Sequence, residues 1–329
     1  MPSTILQSLP CPCCKKVLSP GEPGTYAVRP AGSFAECLRR CAVCGIGFSN
    51  SSTVGAETII YKNPQDNVPE EFRAGFIEAI RLSVNKHNLA NKETKAAFST
   101  SEDALTWTVF RWLQTEGRLR AACSALGIDI AKRASNEPTL LLWGTQVPNP
   151  NDSASQLGSI LAEISADLEE VADRRTEPDI ILDFGDVGVV FAEVKFRSGN
   201  EFTDPKYTNW GRYLERPDPA AFRDPNGVRD NGHYELARNW RFAWEVSRKL
   251  NVPVGVVNLG PEGMFNGRGG VALEVFVSLL NQDQRHQFYR ITWQQLLDAS
   301  GELPGWFPTY AIEKRLDAWG CYAPPARAA

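Results

Sequence analysis

The chain has 329 residues, 43% of them apolar, with 35 Lys and Arg against 39 Asp and Glu. That is enough for a sizeable core and more than one domain, and a formal charge of −4 excludes a global basic field, so any nucleic-acid contact must rely on local patches. No run approaches eighteen apolar residues and no basic segment precedes an apolar one after Met1-Pro2-Ser3-Thr4, which argues against a membrane span and makes a soluble cytoplasmic protein the expectation.

Six of the eight cysteines fall before residue 45. Cys11 with Cys14 and Cys41 with Cys44 form two Cys-x2-Cys turns separated by 26 residues, a spacing a β-hairpin can span. Four thiolates suit tetrahedral Zn²⁺ with no open position, which describes a structural site. Pro12 and Gly45 supply the tight turns, and residues 1–60 are predicted to be a zinc ribbon. Cys13 and Cys37 are left over, either replacing a ligand or filling small buried positions. A disulfide framework needs an oxidising compartment, for which there is no signal. Tyr26, Arg29, Arg39 and Arg40 in the intervening loop are candidates to touch phosphates.

Residues 49 to 68, rich in Ser, Gly, Asn and Pro, predict a connector despite the short apolar piece Thr58-Ile59-Ile60-Tyr61. A helix is predicted from Pro69, with Phe72, Phe76, Ile77, Ile80 and Val84 as its stripe, so residues 61–98 form a helical connector. A second helix, from about Ser101 to Leu126, carries Leu105, Val109, Phe110, Leu113 and Leu119. Ser99 and Glu102 have the spacing of a capping box at its start. A strand follows at Thr139 to Trp143, then a helix over Ser155 to Val171.

Alternation then predicts a hairpin. Ile180, Leu182 and Phe184 are apolar at even positions, as are Val190, Ala192, Val194 and Phe196, so these form one buried face and Asp179, Glu193 and Lys195 share the other. A three-residue loop, Gly185-Asp186-Val187, sets Phe184 opposite Gly188 and, counting back, Asp179 opposite Glu193. Directly opposed residues have Cβ atoms about 4.5–5.5 Å apart. Two carboxylates that close repel unless a cation joins them. Mg²⁺ suits the position, since it takes one or two carboxylates, keeps waters and accepts phosphate oxygens. Lys195 is placed to orient a metal-bound water or to neutralise a pentavalent phosphate.

Beyond the hairpin, Ser198 to Asn231 is predicted to be a long irregular stretch. A helix from about Gly232 to Leu250 puts Tyr234 and Arg238 on one face, where a partly buried Tyr and a surface ion pair are the expectation. Val252 to Leu259 has the continuous apolar run of a strand covered on both sides. Phe276, Phe288, Tyr289, Ile291, Trp293 and Leu296 predict further strand and helix. Asn266-Gly267-Arg268-Gly269-Gly270 predicts a flexible loop without the Lys-Ser or Lys-Thr of a phosphate-binding loop. Only three His are present, none paired at metal spacing.

Pro178-Asp179 with Glu193-Val194-Lys195 resembles the motif of the PD-(D/E)xK nuclease superfamily, the restriction-endonuclease-like fold. The resemblance extends over about residues 99 to 260. It implies an α/β mixed-sheet domain over residues 99–329 with an αβββαβ core, preceded by the small zinc ribbon. It further implies that Asp179 and Glu193 bind Mg²⁺ or Mn²⁺ with help from the Val194 carbonyl, and that Lys195 serves the nucleophile. In such enzymes an extra Glu often comes from the helix before the first core strand, a position that Glu102 resembles and for which Glu163 is a second candidate. The implied activity is hydrolysis of DNA phosphodiesters, on duplexes and in restriction, anti-phage defence or DNA processing, by a homodimer or with a defence-system partner. The alternative is a non-cleaving nuclease-like adaptor binding DNA or protein through the ribbon.

Overall fold

The computed structural model describes residues 6–20, 30–51, 57–148, 155–200, 202–204, 209–215, 221–282 and 285–323. By internal contacts they form two units, Met1–Arg81 with Leu89–Thr108 and Leu82–Asn88 with Val109–Ala329. In the first, β1 (Leu9–Pro10) pairs antiparallel with β2 (Val17–Leu18), and β3 (Arg39–Cys41), β4 (Ile46–Phe48) and β5 (Ile59–Tyr61) form a three-stranded antiparallel sheet. The predicted connector therefore supplies a strand. Its three residues are all buried, and the Tyr61 N–H donates to the Ala97 carbonyl while Ile59 accepts from the Ser99 N–H. Short apolar runs cannot be assigned by period alone, and here tertiary partners decide.

The helix predicted from Pro69 is a 3₁₀ turn, Glu70–Phe72, followed by α1 (Phe76–Leu82) and α2 (Leu89–Ala96). Phe72, Phe76 and Ile80 of the predicted stripe are buried. The helix predicted over Ser101 to Leu126 divides into α3 (Glu102–Thr115) and α4 (Leu119–Ala125), with α5 (Asp129–Arg133) beyond. Gly117 at φ +61° and Gly127 at φ +86° set these breaks, because the left-handed conformation that ends a helix costs glycine least.

The second unit is built on a six-stranded sheet in the order β11-β10-β9-β8-β6-β7. In chain order its strands are β6 (Thr139–Leu142), β7 (Thr145–Gln146), β8 (Ile180–Asp183), β9 (Val189–Val194), β10 (Val254–Gly260) and β11 (Phe288–Thr292). β6, β8 and β9 run as an antiparallel meander, and β10 and β11 lie parallel to β9. α6 (Leu157–Asp167) is inserted before β8, and α7 (Gly211–Leu214), α8 (Pro225–Asn231) and α9 (Tyr234–Leu250) connect β9 to β10. The stretch predicted to be irregular thus contains α7 and α8 among its described residues. α8 starts where Asp224 accepts from the Gly227 N–H with Pro225 in the first turn. α10 (Gly267–Leu279) connects β10 to β11, so the predicted Gly-rich loop is in fact the first turn of a helix, followed by α11 (Trp293–Ala299) and α12 (Phe307–Lys314).

Helices cover the sheet on both faces. Ile181, Val189, Phe191 and Val256 pack with α6 and α9 through Leu157, Ile164, Trp240 and Ala243. On the other face Ile180, Leu182, Val190, Ala192, Val257 and Leu259 meet Phe110, Cys123, Leu126 and Leu296 around an apolar void of about 30 Å³. All six residues of β9 are buried. The face predicted to be polar is therefore apolar for most of its length and turns polar only where β9 ends. Among the described residues no helix is long and apolar enough to cross a membrane.

Lys314, the last residue of α12, is 1% exposed with its ammonium 5.0 Å from the centre of the Tyr310 ring. Burial drives its pKa down to about 7, against a smaller opposing effect of Glu313. Between pH 7 and the ordinary lysine range the unfolded chain binds this proton more tightly than the fold does. Stability therefore rises with pH through that window, and the full penalty acts below it. Lys314→Met is expected to be more stable than wild type at pH 6 by on the order of 2 kcal/mol, a gap that closes towards pH 10. Urea unfolding at the two pH values checks this; an equal gap at both would refute the burial argument.

Candidate functional site

The hairpin pairs in the register that the turn count predicts. Ile180 opposes Ala192, Ile181 opposes Phe191, Leu182 opposes Val190 and Asp183 opposes Val189, with Gly185–Val187 as a 3₁₀ loop. Asp179 is the next residue outward. There β8 ends, and the Asp179 carboxylate takes over the ladder position, its Oδ2 accepting from the Val194 N–H at 2.8 Å. Its own backbone is braced by the turn Trp143-Gly144, since the Trp143 N–H donates to the Asp179 carbonyl at 3.2 Å. The N–H and C=O of one strand residue point to the same edge. The Val194 carbonyl therefore lies on the Asp179 side of β9.

Glu193 and Lys195 are 5% and 7% exposed at the carboxyl end of β9. The Lys195 ammonium donates to Glu193 Oε1 at 2.7 Å and to Glu235 Oε2 at 2.6 Å. Glu193 Oε2 accepts from Asn239 Nδ2 at 2.6 Å. Burial pushes the Glu193 carboxyl up, against the opposing pull of Lys195. Burial would also raise Glu235, but Lys195 and then Arg238 outweigh it and hold that carboxyl below its usual range. Asp179 and Glu235 are only partly buried, so the cluster reaches the surface on their side. The Lys195 N–H donates to Leu259 in β10, and its carbonyl accepts from Trp293 Nε1, which fixes the backbone from which the ammonium projects.

Glu235 and Asn239 were not among the predicted site residues. They sit four apart at the start of α9, a polar pair on the flank of Leu236, Trp240 and Ala243, and that spacing after the motif was the signal available. Arg238, predicted to form a surface ion pair, is half-buried with its guanidinium 5.7 Å from the Tyr234 ring centre. Its charge is reinforced by Tyr213, Glu235 and Glu193, in that order, against burial. Glu163 lies elsewhere: it is exposed and pairs with Lys249 at 3.4 Å. Lys249 stands 14 residues beyond Glu235 on α9, about 21 Å along the axis. Glu102 is the first residue of α3 and belongs to the other unit. Ser101 rather than Ser99 stands at the start of α3, its Oγ accepting from the Ala104 N–H, while Ser99 Oγ accepts from the Ile59 N–H.

In the first unit, the sulfurs of Cys11, Cys14, Cys41 and Cys44 lie within 4.8 Å of one another, a set that can hold a metal ion such as zinc. The Cys14 to Cys41 distance of 3.7 Å matches the separation of about 3.8 Å that a tetrahedron with Zn–S near 2.3 Å requires. The two turns are built alike. The Lys15 N–H donates to Cys11 O and the Gly45 N–H to Cys41 O, both at 2.9 Å, with Lys15 at φ +63° and Gly45 at φ +65°. Lys15 thus occupies in the first turn the place that Gly45 fills in the second. The Lys16 backbone N–H, followed by Cys44, holds the Cys14 thiol down to about 7, which favours the thiolate that binds metal.

Neither spare cysteine joins the set. Cys13 is exposed, and Cys37 is buried against Gly47 with its thiol pushed up to about 11 by burial. Arg39 does not meet phosphate either. It is 1% exposed, donates to the carbonyls of Gln7, Ser49 and Ser51, and pairs with Glu57. Arg40 donates to the carbonyls of Ala35 and Cys37, while Tyr26 and Arg29 lie outside the described residues. No protein-family model, curated protein or solved structure matches this chain.

Proposed function

We propose that the chain is a Mg²⁺- or Mn²⁺-dependent deoxyribonuclease of PD-(D/E)xK type that carries a structural zinc ribbon. One observation carries this reading: at the carboxyl end of the central strand β9 the Asp179 carboxylate accepts from the Val194 N–H, between Glu193 and Lys195, which are themselves paired at 2.7 Å. The order α3, β6, β8, β9, α9, β10, with β10 parallel to β9, supports it by agreeing with the αβββαβ core.

Asp179, Glu193 and the Val194 carbonyl are the groups that would hold the ion. They are hard oxygen donors, and two carboxylates with room for waters is what Mg²⁺ takes. The charge balance fits as well. Glu193 and Glu235 face Lys195 and Arg238, and burial raises the Glu193 carboxyl, so a divalent ion at its oxygens would favour the charged form that burial disfavours. When bound, such an ion supplies a Lewis acid for a phosphoryl oxygen and a water of lowered pKa. Lys195 presents its ammonium to the attacking water or to the phosphoryl oxygens. Glu235 keeps that ammonium charged and aimed, and Asn239 fixes the Glu193 carboxylate, so both are positioning residues. The substrate that follows from the resemblance is duplex DNA, in restriction, anti-phage defence or DNA processing.

Supercoiled plasmid, linear duplex, single-stranded DNA and RNA, each incubated with Mg²⁺ or Mn²⁺, test the reading. Cleavage of DNA that stops with EDTA is the expected outcome. A wild-type protein that leaves every substrate intact under both ions would sink it and favour the non-cleaving adaptor.

A further inference from the structure

β9, β10 and β11 are parallel, so their carboxyl ends open on one side, where ligands of such sheets commonly bind. Next to Lys195 on that side lies a cleft of about 350 Å³, a size in the range of small-molecule sites, at ~300–1,000 Å³. Its walls come from the segments leaving β9 and β10, the start of α10, and Trp319, and none of its lining residues is acidic. Met264 of its wall packs over Gly260, where a side chain would meet both Met264 and the Lys195 Cβ. Asn200 on its wall exchanges two hydrogen bonds with Asn258, the residue opposite Glu193 in β10.

Three features show what the cleft can bind. His233 is 6% exposed and lines it, yet neither ring nitrogen has a hydrogen-bond partner among the described residues. The buried Trp319 Nε1–H likewise has none. Buried polar atoms are rarely left so, and a ligand offering both donor and acceptor would satisfy them. Second, Arg197 lies 4.0 Å and Arg315 5.9 Å from the centre of the Trp319 ring, and the two like charges oppose one another, which an anion on Arg197 would relieve. Third, Gly269 in the first turn of the 13-residue α10 lines the cleft, and the Asn266 cap makes no side-chain hydrogen bond to that turn. The amino end of such a helix attracts a phosphate.

We propose that this cleft seats a nucleoside monophosphate unit, with the phosphate on Arg197 and the α10 amino terminus and the base edge towards His233 and Asn200. Its source is the DNA strand that runs past Lys195, and in that respect the proposal rests on the nuclease reading. A free nucleotide offers the same phosphate and base, so the test separates the two.

Fluorescence anisotropy in EDTA, with a labelled single strand of about 12 nucleotides, measures binding without cleavage. Arg197→Ala and His233→Phe are each expected to weaken binding about tenfold, and Arg197→Ala to lower the salt slope by about 0.7, as for one lost phosphate contact. Unlabelled dAMP is expected to compete only at concentrations at least about a hundredfold higher than the unlabelled strand. Both variants binding like wild type, or no binding by wild type at low salt, would overturn the proposal. Competition by dAMP as effective as by the strand would overturn the strand as the source. Binding that depends on Arg197 in a protein that never cleaves would remove the nuclease reading and leave the nucleotide site standing.

Discussion

Lys195→Met is expected to lower the rate of DNA cleavage by at least about a hundredfold, the usual cost of removing one preorganised donor from a phosphoryl or acyl transition state. The same change should destabilise the protein in EDTA. Lys195 is the common partner of Glu193 and Glu235 at 2.7 and 2.6 Å, and its loss strands a buried carboxylate whose remaining hydrogen bond comes from Asn239. Breaking one side of a buried pair costs about 3–5 kcal/mol. Mg²⁺ is then expected to raise the melting temperature of Lys195→Met more than that of wild type, because the ion supplies the missing positive charge. Asp179→Asn provides the contrast. It keeps an acceptor for the Val194 N–H, so the fold should hold while cleavage and the Mg²⁺-induced thermal shift are both lost. Circular dichroism melts with and without Mg²⁺, beside plasmid cleavage by the folded variants, measure all of this. Lys195→Met cutting at the wild-type rate would remove the lysine from the chemistry.

One zinc per chain is expected by metal analysis, with Cys41→Ser abolishing it and Cys13→Ser retaining it. Four thiolates converge within 4.8 Å in a segment whose own apolar cluster is small, Cys11, Leu18, Cys41, Ile46, Ile59 and Tyr61. So few apolar side chains cannot offset the entropy of ordering the ribbon, and metal binding, worth about 10–16 kcal/mol in small zinc modules, supplies the balance. Strong chelation or Cys41→Ser should therefore open residues 6–51 to protease. Chelated protein as resistant as the loaded form would show that the cysteines are not structural ligands.

Arg39 illustrates why charge in a sequence is a poor guide to partners. Together with Arg40 it looked like a phosphate contact, yet it is one of the most buried side chains in the protein and ties three backbone carbonyls together. An Arg in a small domain serves as an internal strut when backbone acceptors surround it, and sequence does not reveal those acceptors. The Gly-rich turn before α10 misled for a similar reason. Three glycines oppose helix formation locally, but the packing of Leu273 and Phe276 in the core outweighs that preference.

What the sequence alone determined is the geometry of short range. The spacing of Cys11, Cys14, Cys41 and Cys44 and the three-residue loop after Phe184 set which atoms meet, because turn length and strand alternation are fixed by backbone geometry within a few residues. The tertiary structure decided the surroundings. Whether the face of Glu193 lay in water or under a helix depended on α9, more than forty residues away, and that burial is what brought Glu235 and Asn239 to the acid–lysine pair and shifted its protonation. Burial is a property of what packs on top. A strand pattern records which side chains share a face, but not what will cover them.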